Sequence, residues 1–117
     1  MTTDALFEQL KHPNPHMRDR AMYEIADSRD ENTIPRLVAI LDDEDVTYRR
    51  AAVKVLGAIG EDAVPSVVDA LLNSENVTVR GSAAQVLAKV ALNYPELRFP
   101  EVGFPGLKKE IDDCNHV

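Results

Sequence analysis

Residues 43–60, with the sequence DEDVTYRRAAVKVLGAIG, carry the pattern that decides the fold. Asp45 is a typical helix N-cap residue, and Gly60 is typical of the position that follows the last helical turn. Between them, apolar residues recur at the spacing of one helical face: Tyr48, Ala52, Val55, Leu56 and Ile59. The stretch therefore predicts an amphipathic α-helix with a defined start and a defined end.

The same pattern occurs three times along the chain, at an offset of 31 residues. A shorter apolar segment that opens with a proline, Pro35 or Pro65, precedes each of the two later copies. Strand-like alternation is absent, so each copy predicts two helices and the chain an all-α protein. The aligned columns are Leu10, Leu41 and Leu72; Asn14, Asp45 and Asn76; Arg18, Arg49 and Arg80; Ala21, Ala52 and Ala83; and Ile25, Leu56 and Leu87.

A pair of helices of about 31 residues cannot bury the apolar faces of both helices alone, so neighbouring pairs must stack on each other. The sequence predicts one domain, 1–117, that forms an α-solenoid of about three and a half repeats in a right-handed superhelical stack. Small Ala and Val contact positions favour HEAT-like packing over the more aromatic tetratricopeptide type. The expected boundaries are repeats at about 4–33, 34–63 and 64–93, a loop at 93–104 and a truncated fourth repeat at 105–117.

The fourth copy is predicted from a partial match at the end of the chain. Pro105 to Ile111 repeats the step from Pro35 to Leu41, and Asn115 follows as Asp45 does. Because this copy stops before its second helix, we expect an exposed apolar end and an end-to-end dimer through the truncated repeat.

The composition excludes several classes of function. The chain has 13 Lys and Arg against 20 Asp and Glu, a formal net charge of −7, which argues against nucleic-acid binding. Its single cysteine, Cys114, provides neither an internal disulfide nor a thiolate zinc site. Since no signal peptide and no apolar run of membrane length occur, we expect a cytoplasmic protein with no membrane partner.

The sequence contains no catalytic constellation. The histidines His12, His16 and His116 lack the spacing of a metal-binding pair, and no nucleophile elbow or phosphate-binding loop is present. The acidic run at 42–45 precedes a helix start and is interpreted as a solvated turn. We therefore expect no catalytic residue, no metal site and no resident cofactor.

An arginine column accompanies the capping column. Arg18, Arg49 and Arg80 each lie four residues after a cap, at Asn14, Asp45 and Asn76 respectively. We interpret these six residues as a structural hydrogen-bond ladder between turns of neighbouring repeats. The alternative is a positive stripe with a binding role.

Two surfaces are candidates for binding a partner. The exposed face of the second helices, predicted to be concave, contains Asp19, Tyr23, Arg50, Lys54 and Gln85. Its charges favour an acidic partner, or else are simply solvated. The loop contains Tyr94, Arg98, Phe99 and Phe104, and it either binds a partner or packs back over the edge of the solenoid.

Residues 43–60 and 76–84, within a longer match from 12 to 93, resemble the phycobilisome-lyase class of HEAT-like repeats. The segment is similar in particular to cyanobacterial proteins of bilin biosynthesis or phycobilisome maturation. The resemblance implies a scaffold or adaptor that binds a protein partner, such as a phycobiliprotein, in bilin handling.

The resemblance also implies two alternatives. One is a bilin (phycocyanobilin) lyase that binds the linear tetrapyrrole directly, with Arg50 or Arg98 pairing its propionates and Tyr23, Tyr94 or Phe99 stacking on its rings. The other is an adaptor in iron–sulfur assembly.

Overall fold

The computed structural model describes residues 2–97, and within that range the regular structure is entirely helical, without a strand. A 3-10 turn, Gly60–Ala63, leads into the fifth helix. The helices are α1 Thr3–Gln9, α2 Pro15–Asp27, α3 Thr33–Val38, α4 Val46–Ile59, α5 Val64–Asn73 and α6 Val77–Asn93. The predicted all-α fold, a solenoid of helix pairs, is confirmed by these elements. The predicted fourth repeat at 105–117, with Cys114 and His116, lies outside the described residues.

The second helix of each pair begins where the sequence predicts, directly after the capping column. Asn14, Asp45 and Asn76 each accept a hydrogen bond from the backbone N–H two residues later, at 2.9, 3.0 and 2.8 Å. These bonds satisfy N–H groups that have no partner inside the helix. At the other end of α4, Gly60 is the C-cap residue, also as predicted.

The first helices begin slightly earlier than predicted. α3 starts at Thr33, two residues before Pro35, and α5 starts at Val64, one residue before Pro65. Proline is tolerated anywhere in the first turn because the N–H groups there lack intrahelical acceptors. A proline therefore marks the first turn of a helix but not its first residue.

The core runs through all three helix pairs as one cluster. α4 lies in the middle, in contact with α2, α3 and α6. Two of the aligned columns, one of alanines and one of larger aliphatic residues, are buried in every copy. The small alanines allow neighbouring helices to approach closely, and the larger residues fill the space between the helices. These residues are Ala21, Ala52 and Ala83, and Ile25, Leu56 and Leu87.

Polar contacts link successive pairs. Between the first and second pairs, Arg36 of α3 forms an ion pair with Asp4 of α1 at 2.7 Å, and its guanidinium lies 4.0 Å from the centre of the Phe7 ring. Between the second and third, the buried Ser82 hydroxyl donates to the Leu41 carbonyl at 3.0 Å. Because the Ser82 hydroxyl is buried, it needs a hydrogen-bond partner within the protein. The bond to Leu41 provides that partner and fixes the position of α6 on the preceding pair.

A cation–aromatic contact joins the first two pairs as well. The Lys11 ammonium lies 4.5 Å from the centre of the Tyr48 ring. Burial raises the pKa of the Tyr48 phenol above its ordinary value, against the opposing effect of the Lys11 charge. The phenol therefore stays neutral at physiological pH, and Lys11 faces an uncharged ring.

Candidate functional site

Two adjoining clefts lie along the second helices. The cleft between α2 and α4 measures about 210 Å³, and the cleft between α4 and α6 about 260 Å³. Arg50 lines both, so the two form one continuous surface, which we call the basic groove. The first cleft is lined by Arg18, Asp19, Met22, Thr47, Arg50, Ala51 and Lys54. The second is lined by Arg49, Arg50, Val53, Thr78, Gly81, Ser82 and Gln85.

Helical periodicity explains why these side chains share one surface. On α4, Arg50 and Lys54 are four residues apart and therefore project from the same helical face. The 31-residue register places Asp19 of α2 and Gly81 of α6 at the positions equivalent to Arg50. The groove is thus the same helical face repeated on three neighbouring helices.

The basic groove is positively charged on a chain whose net charge is −7. Its lining includes four cationic side chains, Arg18, Arg49, Arg50 and Lys54, and one carboxylate, Asp19. Arg50 and Lys54 are exposed, and the ion pairs found among residues 2–97 use neither of them. Their charges are therefore available to a negatively charged group of another molecule.

Arg18 and Arg49 combine a structural contact with a place in the groove. Arg18 donates to the carbonyls of His12 and Pro13 at 2.7 and 3.1 Å, and Arg49 donates to the Asp43 carbonyl at 2.9 Å. Each acceptor lies in the turn before the arginine's own helix. These bonds thus stay within one repeat, whereas the sequence indicated bonds to the turns of neighbouring repeats.

The contacts of Arg80 and Asn76, the third members of the arginine and capping columns, differ from those of the first two members. Arg80 is exposed. Asn76 provides a link between repeats, because its amide nitrogen donates to the Asp42 carboxylate at 3.2 Å. The contact between neighbouring turns is thus made by a capping side chain.

The remaining residues predicted on the second-helix face are distributed along it. Asp19, Arg50, Lys54 and Gln85 line the basic groove. Tyr23 lies one helical turn beyond Asp19 on α2 and is 61% exposed. Met22 and Thr47 also line the groove, although neither was predicted from the sequence. The repeat register could have indicated Thr47, because Thr78 of α6 occupies the equivalent position in the second cleft.

Tyr94 packs back on the helices. Its hydroxyl donates to the Ala58 carbonyl at 2.6 Å, and the neighbouring Asn93 amide donates to the Gly57 carbonyl at 3.3 Å. Both acceptors belong to the last turn of α4, where carbonyls have no intrahelical donor. The other residues predicted for this loop surface, Arg98, Phe99 and Phe104, lie outside the described residues.

Metal sites and membrane-spanning helices are both absent between residues 2 and 97. No group of three or more His, Cys, Asp or Glu side chains there is arranged to hold a metal ion. None of the helices in that range has the length and apolar character needed to cross a membrane.

The chain is similar to three cyanobacterial proteins, two of which are named for bilin biosynthesis. It is 53% identical over 117 residues to "Uncharacterized phycocyanin operon protein Z" of Pseudanabaena tenuis (strain PCC 7409), covering all of this chain and 58% of that relative. It is 37% identical over 87 residues to "Bilin biosynthesis protein CpeZ" of Synechococcus sp. (strain WH8020), covering 74% of this chain and 47% of that relative. "Bilin biosynthesis protein MpeU" of the same strain is 43% identical over 58 residues, which are half of this chain and 20% of MpeU.

The chain thus spans about half the length of the first two relatives. No solved structure matches it with significance. The family model described as HEAT repeats matches residues 3–88, the range that contains all three helix pairs apart from the end of α6. The resemblance recognised in the sequence is confirmed by this match and by the names of the relatives. This chain belongs to the family of HEAT-repeat proteins.

Proposed function

We propose that the chain is a HEAT-repeat scaffold that binds a protein partner, a phycobiliprotein subunit, in the handling of bilins. The observation that carries the proposal is the basic groove, with Arg50 at the junction of its two clefts. The relatives named for bilin biosynthesis support the choice of partner class, and favour it over a partner in iron–sulfur assembly.

The groove suits a protein surface with negative charge. Its cations are spread over two neighbouring helices, α2 and α4, so they can pair with several carboxylates of one partner at once. Complementary charge of this kind accelerates association and selects the partner. The neighbouring Tyr23 and Met22 add apolar contact area at the edge of the charged surface.

Direct binding of a linear tetrapyrrole is the alternative, and the openness of the groove disfavours it. Pockets for small ligands usually enclose most of the ligand's surface. The basic groove lies on the surface of the second helices, and Arg50, Lys54 and Gln85 of its lining are exposed. Tyr94, which the resemblance assigns to ring stacking, lines neither cleft, and its hydroxyl donates to the Ala58 carbonyl. A protein that presents its own chromophore would not require an enclosing pocket.

Reversing the two exposed charges of the groove is expected to weaken binding of a purified phycobiliprotein subunit. The double variant Arg50→Glu with Lys54→Glu places like charges against an acidic surface. We expect a Kd at least about tenfold higher, which corresponds to ~1.4 kcal/mol. A fluorescence titration with the subunit, with and without its bilin, measures this loss.

The matched control is Arg20→Glu with Arg80→Glu. It changes the net charge by the same amount at exposed positions outside both clefts. We expect its Kd to stay within about twofold of the unmodified chain. Equal loss in the two double variants, or no loss in either, would show that the groove is not the docking surface.

A bulky side chain placed in the groove tests whether binding can be blocked while the chain stays folded. Gly81 lines the second cleft, and a Cβ added there has no neighbour within 4 Å. Gly81→Trp should therefore keep the helical circular dichroism signal and still weaken subunit binding.

A separate titration tests the alternative function. Free bilin at micromolar concentration is titrated into the chain alone. A change in the absorbance spectrum of the bilin would favour direct chromophore binding.

A further inference from the structure

The second cleft of the basic groove, between α4 and α6, contains a notch where α6 has a glycine. Gly81 holds the position that Asp19 has on α2 and Arg50 has on α4. It is exposed, and a Cβ added to it would meet no atom within 4 Å. The space that a side chain occupies on the two preceding second helices is therefore open to another molecule on α6.

The buried residues of the lining form the bottom of this cleft. They are Val53, which is 2% exposed, and Ser82, which is 6% exposed, whereas Thr78 and Gln85 are exposed. The Ser82 hydroxyl already donates its hydrogen to the Leu41 carbonyl. An apolar side chain can therefore cover the bottom of the cleft without leaving a buried donor unpaired, which would cost free energy.

Two arginines of α4 line the same cleft, and they differ in how far they are held. Arg49 donates to the Asp43 carbonyl at 2.9 Å. Arg50 is exposed and belongs to none of the ion pairs found among residues 2–97. No acidic side chain stands among the described residues that line this cleft. A carboxylate can therefore approach Arg50 from this side without repulsion.

The guanidinium of Arg50 can serve two groups at once, because its face and its edge make different contacts. The face attracts the face of an aromatic ring, and the edge donates hydrogen bonds to a carboxylate. The chain already contains a contact of the first kind, since the Arg36 guanidinium lies 4.0 Å from the centre of the Phe7 ring. A ring placed in the notch at Gly81 has Arg50 as a neighbour in the same cleft.

We propose that the second cleft is an anchor site for one aromatic side chain of the bound partner, next to a carboxylate that pairs with Arg50. The inference rests on the proposed function for the identity of the partner, and it adds the chemistry by which the groove selects it. The ring fills the notch at Gly81 and covers Val53. Buried aromatic side chains with a paired charge beside them are typical anchors of protein interfaces.

A titration of the full chain, followed by nuclear magnetic resonance, tests the anchor site with three probes of equal charge. N-acetylphenylalanine carries a carboxylate and a ring, N-acetylleucine a carboxylate and an aliphatic side chain, and N-acetylalanine a carboxylate and a methyl group. We expect N-acetylphenylalanine to shift the amide signals of Gly81 and Ser82, with a Kd at least about fivefold lower than that of N-acetylalanine. N-acetylleucine should bind with an intermediate Kd.

Two variants locate the binding of the ring. Gly81→Leu fills the notch and should remove the preference for N-acetylphenylalanine. Thr47→Leu makes a similar addition in the first cleft, at the position equivalent to Thr78, and should keep the preference. Circular dichroism confirms that both variants stay helical. Equal Kd values for the three probes, equal values for the leucine and phenylalanine probes, or a preference that survives Gly81→Leu would each overturn the proposal.

The titration contains no phycobiliprotein subunit, so its failure is distinct from failure of the proposed function. An absent ring preference, with subunit binding still weakened by Arg50→Glu and Lys54→Glu, would remove the anchor site and leave the groove as the docking surface. A ring preference that depends on Gly81, with subunit binding insensitive to those charges, would support the anchor site and show that the subunit is not its partner.

Discussion

Replacing Leu56 with alanine is expected to lower the free energy of unfolding by about 2–5 kcal/mol. Leu56 is 0% exposed and lies on α4, the helix in contact with α2, α3 and α6. The substitution removes buried methyl groups and leaves a cavity in the core. Because every helix pair depends on its neighbours, we expect the loss to appear in one cooperative transition. Urea denaturation followed by circular dichroism measures it.

Leu92→Ala is the matched control for this prediction. It makes the same chemical change at a residue that is 68% exposed. Surface substitutions of this kind usually change stability by less than about 0.5 kcal/mol. A similar loss in both variants would contradict the placement of Leu56 in the core.

Gly60→Ala is expected to destabilise the chain by about 2–4 kcal/mol, for two reasons. Gly60 has φ 79° and ψ −127°, a backbone conformation that residues with a side chain rarely adopt. An added Cβ would also lie 2.6 Å from a ring carbon of Tyr94. The ring would have to move, which weakens its hydrogen bond to the Ala58 carbonyl.

The control is Gly81→Ala, for which we expect a change in stability of the opposite sign. Gly81 lies inside α6, and an added Cβ there meets no atom within 4 Å. Alanine is favoured over glycine in a helix interior by up to about 1 kcal/mol, so this variant should be more stable. Thermal denaturation of the two variants side by side checks the prediction. A stability change of the same sign in both would be inconsistent with the geometry at Gly60.

The sequence predicted the parts of the fold that depend on local chemistry. Caps such as Asp45 lie immediately before their helices, and Gly60 ends α4, because capping acts over only a few residues. The buried columns were also predictable, since a 31-residue register repeats both the helical face and its neighbours. Arg50 and Lys54 of the groove follow from the same register.

Contacts between distant residues could not be predicted in the same way. Tyr94 lies 36 residues from Ala58, and nothing near it in sequence indicates the carbonyl that it meets. Arg49 has several carbonyls within reach, and spacing alone does not select the one in its own turn. Met22 lines the cleft between α2 and α4, and hydrophobic periodicity does not specify which residues of α2 border that cleft.

The most direct test of the basic groove as a docking surface is hydroxyl-radical footprinting of the chain with a purified phycobiliprotein subunit. Met22 lines the groove, Tyr23 lies beside it, and Leu72 is exposed on α5. Methionine and tyrosine oxidise readily, so each side chain reports its own exposure. We expect the subunit to protect Met22 and Tyr23 and to leave the oxidation of Leu72 unchanged. Protection of Leu72 with unchanged oxidation of Met22 and Tyr23 would contradict it.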